Sequence, residues 1–267
     1  MFKKASLCLY AIALAAWTIW QIEMSSALPK SESRPVSIQL QRGSFTLMEF
    51  PSKKSKPSAI IIFGSGDGGW GGLEESIGQA LQNGGYEMIG IDSVNYAKTD
   101  YDLDILQSDF TRIAQKAEAS YGDHPVPLII GGYSMGAAQA IAAAGGPHPP
   151  RGMAGLLLVD PCSRGRYGLR ISDQMNVLPT GPGTFSMDDF ARTMGKLRVV
   201  QWHAAADSID SRVWLNSLTA QHREFDFSHA GHDYNNDRDD FLRQLVESVD
   251  WILNPARDGT MATGNKN

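Results

Sequence analysis

The chain has 267 residues, 42% of them hydrophobic, with 24 basic and 29 acidic side chains, a net charge of −5 and two cysteines. That length and apolar fraction suffice for a buried core and exclude wholesale disorder. The acidic balance argues against a nucleic-acid partner, and two cysteines exclude a disulfide-rich scaffold and a four-thiolate zinc site.

At the N-terminus, Lys3 and Lys4 precede an apolar run from Ala5 to Trp20, with small residues following at Ser25 and Ala27. This order reads as a secretory signal peptide over residues 1–27, with an uncleaved N-terminal anchor as the alternative, and either exports the body of the chain. Cys8 behind Leu7 is a poor lipoprotein site. Removing Lys3, Lys4 and Glu23 with the signal leaves 22 basic and 28 acidic side chains, a net charge of −6, and Cys162 as the sole thiol. Cys162 itself reads as a small buried residue near a strand end.

Short apolar-polar alternations at Ser37 to Leu40 and Phe45 to Phe50 predict two antiparallel strands, followed by a polar turn from Pro51 to Ser58. Ala59 to Phe63 predicts a buried strand, then a glycine-rich loop and a helix reaching about Asn83. The pattern repeats with a strand at Glu87 to Ile91, a helix at Asp102 to Tyr121, a strand at Val126 to Gly131 and an alanine-rich helix at Met135 to Ala144. Strands at Met153 to Val159, Leu197 to Trp202 and Arg223 to Phe227 follow, with a short helix at Arg212 to Leu218 and a closing helix at Arg238 to Leu253. Alternation of this kind predicts an α/β class, a mostly parallel sheet with helices on both faces, in one domain over residues 31–255. The connection over residues 163–196 is too long for a simple loop and is expected to be a cap insertion over the site, while residues 256–267 form a polar, disordered tail.

Gly132-Tyr133-Ser134-Met135-Gly136 is a G-x-S-x-G run set between a strand and a small-residue helix, the context in which such a serine is a nucleophile on a tight turn. The plainer alternative is a serine that caps a helix. A serine hydroxyl needs a base and an orienting acid, in this fold in the chain order serine, acid, histidine. Asp207 follows the strand Leu197 to Trp202, and His229 and His232 follow the last strand. His232 is preferred as base because Gly231 lets the loop bend. Asp207 is preferred to Asp160, which also ends a strand, while Asp210 and Asp233 read as solvent-facing or capping residues. Gly64 to Trp70 (GSGDGGW) stands where a second oxyanion amide is expected, so Asp67 and Met135 are the expected oxyanion pair and Gly66, Gly68, Trp70 and Tyr133 the expected substrate contacts. No spacing matches a phosphate loop or a metal site, and His124, His148 and His222 read as surface or core residues, so neither metal nor cofactor is expected.

The two stretches GSGDGGW and GYSMGA (Gly132 to Ala137) resemble the distinctive motifs of the VirJ/AcvB family of bacterial virulence proteins, with similarity from about Ser58 to Pro255. The resemblance implies an α/β-hydrolase fold and periplasmic hydrolysis of aminoacyl-phosphatidylglycerol, notably the lysyl ester, with no cofactor. It also implies, in some members, association with type IV secretion proteins. Residue by residue it implies Ser134 as nucleophile, His232 as base and Asp207 as acid. By the same resemblance the chain is expected to be the short, single-domain form of the family, without the large N-terminal region of its longer members. Asp67, Glu74 and Glu75 offer negative charge to a cationic ester, although Glu74 and Glu75 read more simply as helix-opening residues. Arg164, Arg166 and Arg170 could meet lipid phosphate or simply be solvated. A generic carboxylesterase or thioesterase, or a non-catalytic secretion-associated binding protein, remains the alternative.

Overall fold

The computed structural model describes residues 33–122, 125–174, 177–206 and 211–254. The segment expected to be a signal peptide, the tail expected at residues 256–267, His124, Asp207 and Asp210 therefore lie outside the described residues.

Eight strands form one sheet: β1 (Arg34–Leu40), β2 (Gly43–Phe50), β3 (Ile60–Gly64), β4 (Glu87–Ile91), β5 (Leu128–Tyr133), β6 (Met153–Val159), β9 (Arg198–Ala204) and β10 (Gln221–Phe227). Their spatial order is β1-β2-β4-β3-β5-β6-β9-β10. β2 pairs antiparallel with both β1 and β4, and the pairs from β4 through to β10 are parallel. β1 begins three residues before its apolar alternation, at Arg34, which pairs with Glu49 of β2 and meets its carboxylate at 2.8 Å.

The central strands are buried on both faces, so their side chains divide by parity. Ile60, Ile62, Ile130, Leu156, Leu158 and Val199 enter one core, and Ile61, Phe63, Ile129, Leu157, Val159 and Val200 the other. The second core is closed by α1 (Gly72–Gly84) and α6 (Arg238–Leu253), which bury Leu73, Ile77 and Leu81, and Phe241, Leu245, Val249 and Ile252, at helical spacing. The first is closed by α3 (Leu103–Glu118), whose Leu106, Phe110, Ile113 and Ala117 form its apolar stripe, and by α4 (Met135–Gly145). Residues 137–144 of α4 are buried all round, and six of the eight are alanines, which lets the helix lie close to the sheet and to α3.

Several boundaries differ from expectation. The helix expected to Tyr121 ends at Glu118 and tightens into a 3-10 turn at Ala119–Tyr121. The short helix expected at Arg212 to Leu218 is a 3-10 turn, Val213–Ser217. An unexpected turn of helix, α2 (Ser93–Ala97), forms after β4 because the Asp92 carboxylate accepts the Asn95 amide at 3.0 Å.

The long connection after β6 carries its own structure. β7 (Arg164–Arg166) pairs antiparallel with β8 (Thr184–Ser186), followed by α5 (Asp188–Ala191). Arg166 holds it together: its guanidinium meets Asp173 at 2.8 Å and donates to the carbonyls of Pro182 and Thr180.

Candidate active site

Ser134 joins β5 to α4 in a backbone conformation that side chains disfavour, with φ 50° and ψ −109°. Its side chain makes no capping hydrogen bond to the helix, so the serine-cap alternative does not describe this turn. A strained, uncapped serine between strand and helix is the geometry of a nucleophile elbow, held at an expense on the order of 1–3 kcal/mol. The surroundings fix it. The Ser134 amide donates to Val159 on β6 at 2.8 Å, and the Gly136 amide donates to the Ser65 carbonyl at 3.0 Å.

The flanking glycines are sterically required. A Cβ on Gly132 would lie 2.2 Å from the Gly136 carbonyl carbon, and one on Gly136 would lie 2.3 Å from the Gly64 oxygen. Strand β5, helix α4 and the end of β3 thus meet backbone to backbone. That contact brings the loop after β3 beside the serine.

In that loop the Gly69 amide donates to the Gly66 carbonyl at 3.1 Å, making a turn with Asp67 and Gly68 at its tip and Gly69 at φ 81°. Asp67, Ser134 and Met135 line one cleft of about 590 Å³ including its open mouth. Met135 is the first residue of α4, so its amide has no carbonyl one turn behind it to bond and is suited to an oxyanion. The insertion also lines this cleft, through Arg164, Arg166, Val177, Leu178 and Phe185, as does Cys162 just before it.

His232 lies in the loop after β10. Its ring sits 4.6 Å from that of Tyr133, the residue preceding the serine, and the Tyr133 hydroxyl donates to the His232 carbonyl at 2.7 Å. His232 Nδ1 stands 3.8 Å from Asp160 Oδ2. Asp160 is fully buried just after β6 at φ 45°, and its other oxygen accepts the Ala204 amide at 2.8 Å. The rival histidine, His229, is exposed. Three non-glycine residues among those described have left-handed φ, Ser134, Asp160 and Tyr234, and all lie at strand ends or in the histidine loop on this edge of the sheet.

The expected substrate contacts fare less uniformly. Trp70 does not line the cleft: its indole lies over Gly90, where a Cβ would approach ring atoms to 1.9 Å, packs on Phe50 and donates to Glu75 at 2.8 Å. Glycine at position 90 leaves the slot that takes the ring into the second core. Tyr133 is likewise turned to His232, and Gly66 packs against the Tyr133 ring, so these residues shape the site from behind. Gly68 also lies outside the cleft lining. Of the acids proposed to attract a cation, Glu75 is taken by Trp70 and Glu74 is buried, accepting the amides of Gly66 and Gly71. Arg166 is spent within the insertion and Arg170 is paired with Asp100 at 2.6 Å, leaving Arg164, which donates to Thr184 and lines the cleft, as the arginine best placed for an anion.

Residues 58–146 match the family described as bacterial virulence protein (VirJ). That stretch spans both the glycine-rich loop and the serine elbow, and over it the resemblance drawn from the two motifs is borne out. No curated protein matches the chain. Among solved structures, an esterase domain of a Rhodothermus marinus protein is 17% identical with a TM-score of 0.59, covering 83% of this chain and 98% of that one. A soluble variant of the Saccharomyces cerevisiae monoglyceride lipase, bound to a substrate analogue, is 14% identical with a TM-score of 0.57, covering 84% and 98%. A membrane phospholipase A described as a bacterial virulence factor is 13% identical with a TM-score of 0.62, covering 95% and 100%. These likenesses and the strand order make the fold that of the α/β-hydrolases.

Proposed function

We propose that the protein is a periplasmic serine hydrolase that cleaves an aminoacyl ester of phosphatidylglycerol, of the lysyl type, through an acyl-enzyme. The observation that carries the reading is Ser134, strained and uncapped at the elbow and opening onto the cleft beside Asp67 and Met135. In the proposed reaction the Ser134 hydroxyl attacks the ester carbonyl as His232 takes its proton, and Asp207 orients the imidazolium. The amides of Met135 and Asp67 receive the oxyanion. Collapse expels the glycerol hydroxyl of the lipid, protonated by His232, and water, deprotonated by the same imidazole, releases the amino acid.

The cleft supports a lipid-linked substrate of mixed charge. Asp67 brings negative charge for an amine, Arg164 positive charge for a phosphate, and Val177, Leu178 and Phe185 an apolar wall. The lipid-active neighbours agree with an ester of this kind, and the basic and apolar N-terminal segment supports export. A generic carboxylesterase is the second reading, favoured by that apolar wall. Association with type IV secretion proteins rests on the family resemblance alone.

The test is turnover by the mature protein and by Ser134→Ala of lysyl-phosphatidylglycerol and of a short-chain ester. Lysine release lost in the variant is expected. Turnover of the short ester alone would move the assignment to a generic esterase, and no turnover of either would favour a binding protein.

A further inference from the structure

We infer that Glu74 is a positioning residue that sets the oxyanion loop, one carboxylate clamping both ends of the turn that carries Asp67. This rests on the serine-hydrolase reading above. Glu74 Oε1 accepts the Gly66 amide at 3.3 Å and Oε2 accepts the Gly71 amide at 3.0 Å. Gly66 enters the turn and Gly71 leaves it, capping α1. Between them the Gly66–Gly69 bridge leaves Asp67 at the tip, on the cleft wall with Ser134.

The local chemistry makes this carboxylate hard to replace. Gly71 has no side chain to cap α1, so Glu74, three residues on, supplies the capping contact from within the first turn. Glycines at 66, 68, 69, 71 and 72 leave Trp70, seated over Gly90, as the one large side chain that packs the segment, so the turn ahead of it at Gly66–Gly69 rests on hydrogen bonds. Glu74 is 3% exposed, which raises its carboxyl, while the Gly66 and Gly71 bonds and the Arg238 charge oppose that rise. Ser65, one residue before the turn, is fixed independently: its carbonyl accepts the Gly136 amide and its hydroxyl accepts the Ser93 amide at 3.0 Å. The loop is thus anchored to the elbow on one side and to Glu74 on the other. An oxyanion donor must be held to a fraction of an ångström, so loosening the Glu74 side affects the transition state more than substrate binding.

Glu74→Gln keeps the shape but offers one acceptor oxygen where two amides need acceptors, and turns an NH2 toward one of them. Two measurements test the clamp: amide hydrogen exchange at Gly66 and Gly71, and kcat and KM on a short-chain p-nitrophenyl ester at matched folded protein. Expected are exchange at least about tenfold faster at one or both glycines and a kcat about tenfold or more lower with KM within about threefold. Glu74→Asp, which keeps both oxygens on a shorter arm, should recover part of the lost kcat. Wild-type kcat in Glu74→Gln at matched folded protein would overturn the clamp. If the wild-type protein turns over no ester, the hydrolase reading fails, and the exchange measurement decides: unchanged rates at both glycines overturn the clamp on their own.

Discussion

Tyr133 holds His232 in two ways, packing against its ring at 4.6 Å with the planes tilted by 39° and donating a 2.7 Å hydrogen bond to its carbonyl. The residue preceding the proposed nucleophile therefore fixes the backbone of the proposed base. Tyr133→Phe keeps the ring contact and removes the hydroxyl. Stability should fall by about 1 kcal/mol in denaturant melts, and kcat by about tenfold, with little change in KM. An unchanged kcat would show that the loop holds the histidine without this bond.

The elbow depends on backbone contact that no Cβ can enter. Gly132→Ala and Gly136→Ala should each cost about 3 kcal/mol or more, enough to deplete folded protein, because the added carbon meets backbone atoms at 2.2 and 2.3 Å. Gly68→Ala, where a Cβ meets nothing within 4 Å, should melt within about 1 kcal/mol of the wild type. Thermal melts of the three variants check the contrast.

Two carboxylates compete for the role of orienting acid. Asp160 Oδ2 stands 3.8 Å from His232 Nδ1, and Asp207 follows β9 in the position the resemblance assigns. With Asp207 as the acid, Asp207→Asn should lower kcat by about a thousandfold or more. Asp160→Asn, which retains an oxygen to accept the Ala204 amide, should lower it far less. The reverse order in steady-state kinetics would transfer the role to Asp160.

Much of this architecture is legible in the chain. The runs Ala59 to Phe63, Glu87 to Ile91 and Met153 to Val159 announce buried parallel strands because both faces must be apolar, and the structure has strands at all three. The elbow is equally plain, since glycines at 132 and 136 around a serine have few other uses. The insertion is not: strands of three residues with the sequence Arg164-Gly165-Arg166 carry no periodicity, and their pairing depends on the Arg166 and Asp173 contact. Trp70 misleads for a related reason. An aromatic beside five glycines suggests a substrate contact, but its place is decided by the slot at Gly90, on another strand. Glu74 reads in the sequence as a helix-opening acid, but the reach of its carboxylate to Gly66 is a tertiary contact.

Away from the site, burial and the neighbouring Glu49 charge, against the opposing pull of Arg34, push the Glu87 carboxyl up to about 7. The folded state then holds this proton more tightly than the unfolded chain. Its contribution to stability is full below about pH 4.5 and is lost as the pH rises through about 7. Glu87→Gln should remove that loss, making the variant more stable than the wild type by about 1–3 kcal/mol at pH 8, with the difference shrinking toward pH 4.5. Denaturant titrations at a series of pH values would show it, and parallel profiles for the two proteins would contradict it.

In the proposed reaction Ser134 carries an acyl group during turnover. Acid-quenching the protein with a p-nitrophenyl acetate substrate and weighing its peptides by mass spectrometry tests this directly. An acetyl group on Ser134 is expected in the wild type, with neither adduct nor turnover in Ser134→Ala. Ester turnover that survives in Ser134→Ala, with no acyl group on Ser134 in the wild type, would contradict it.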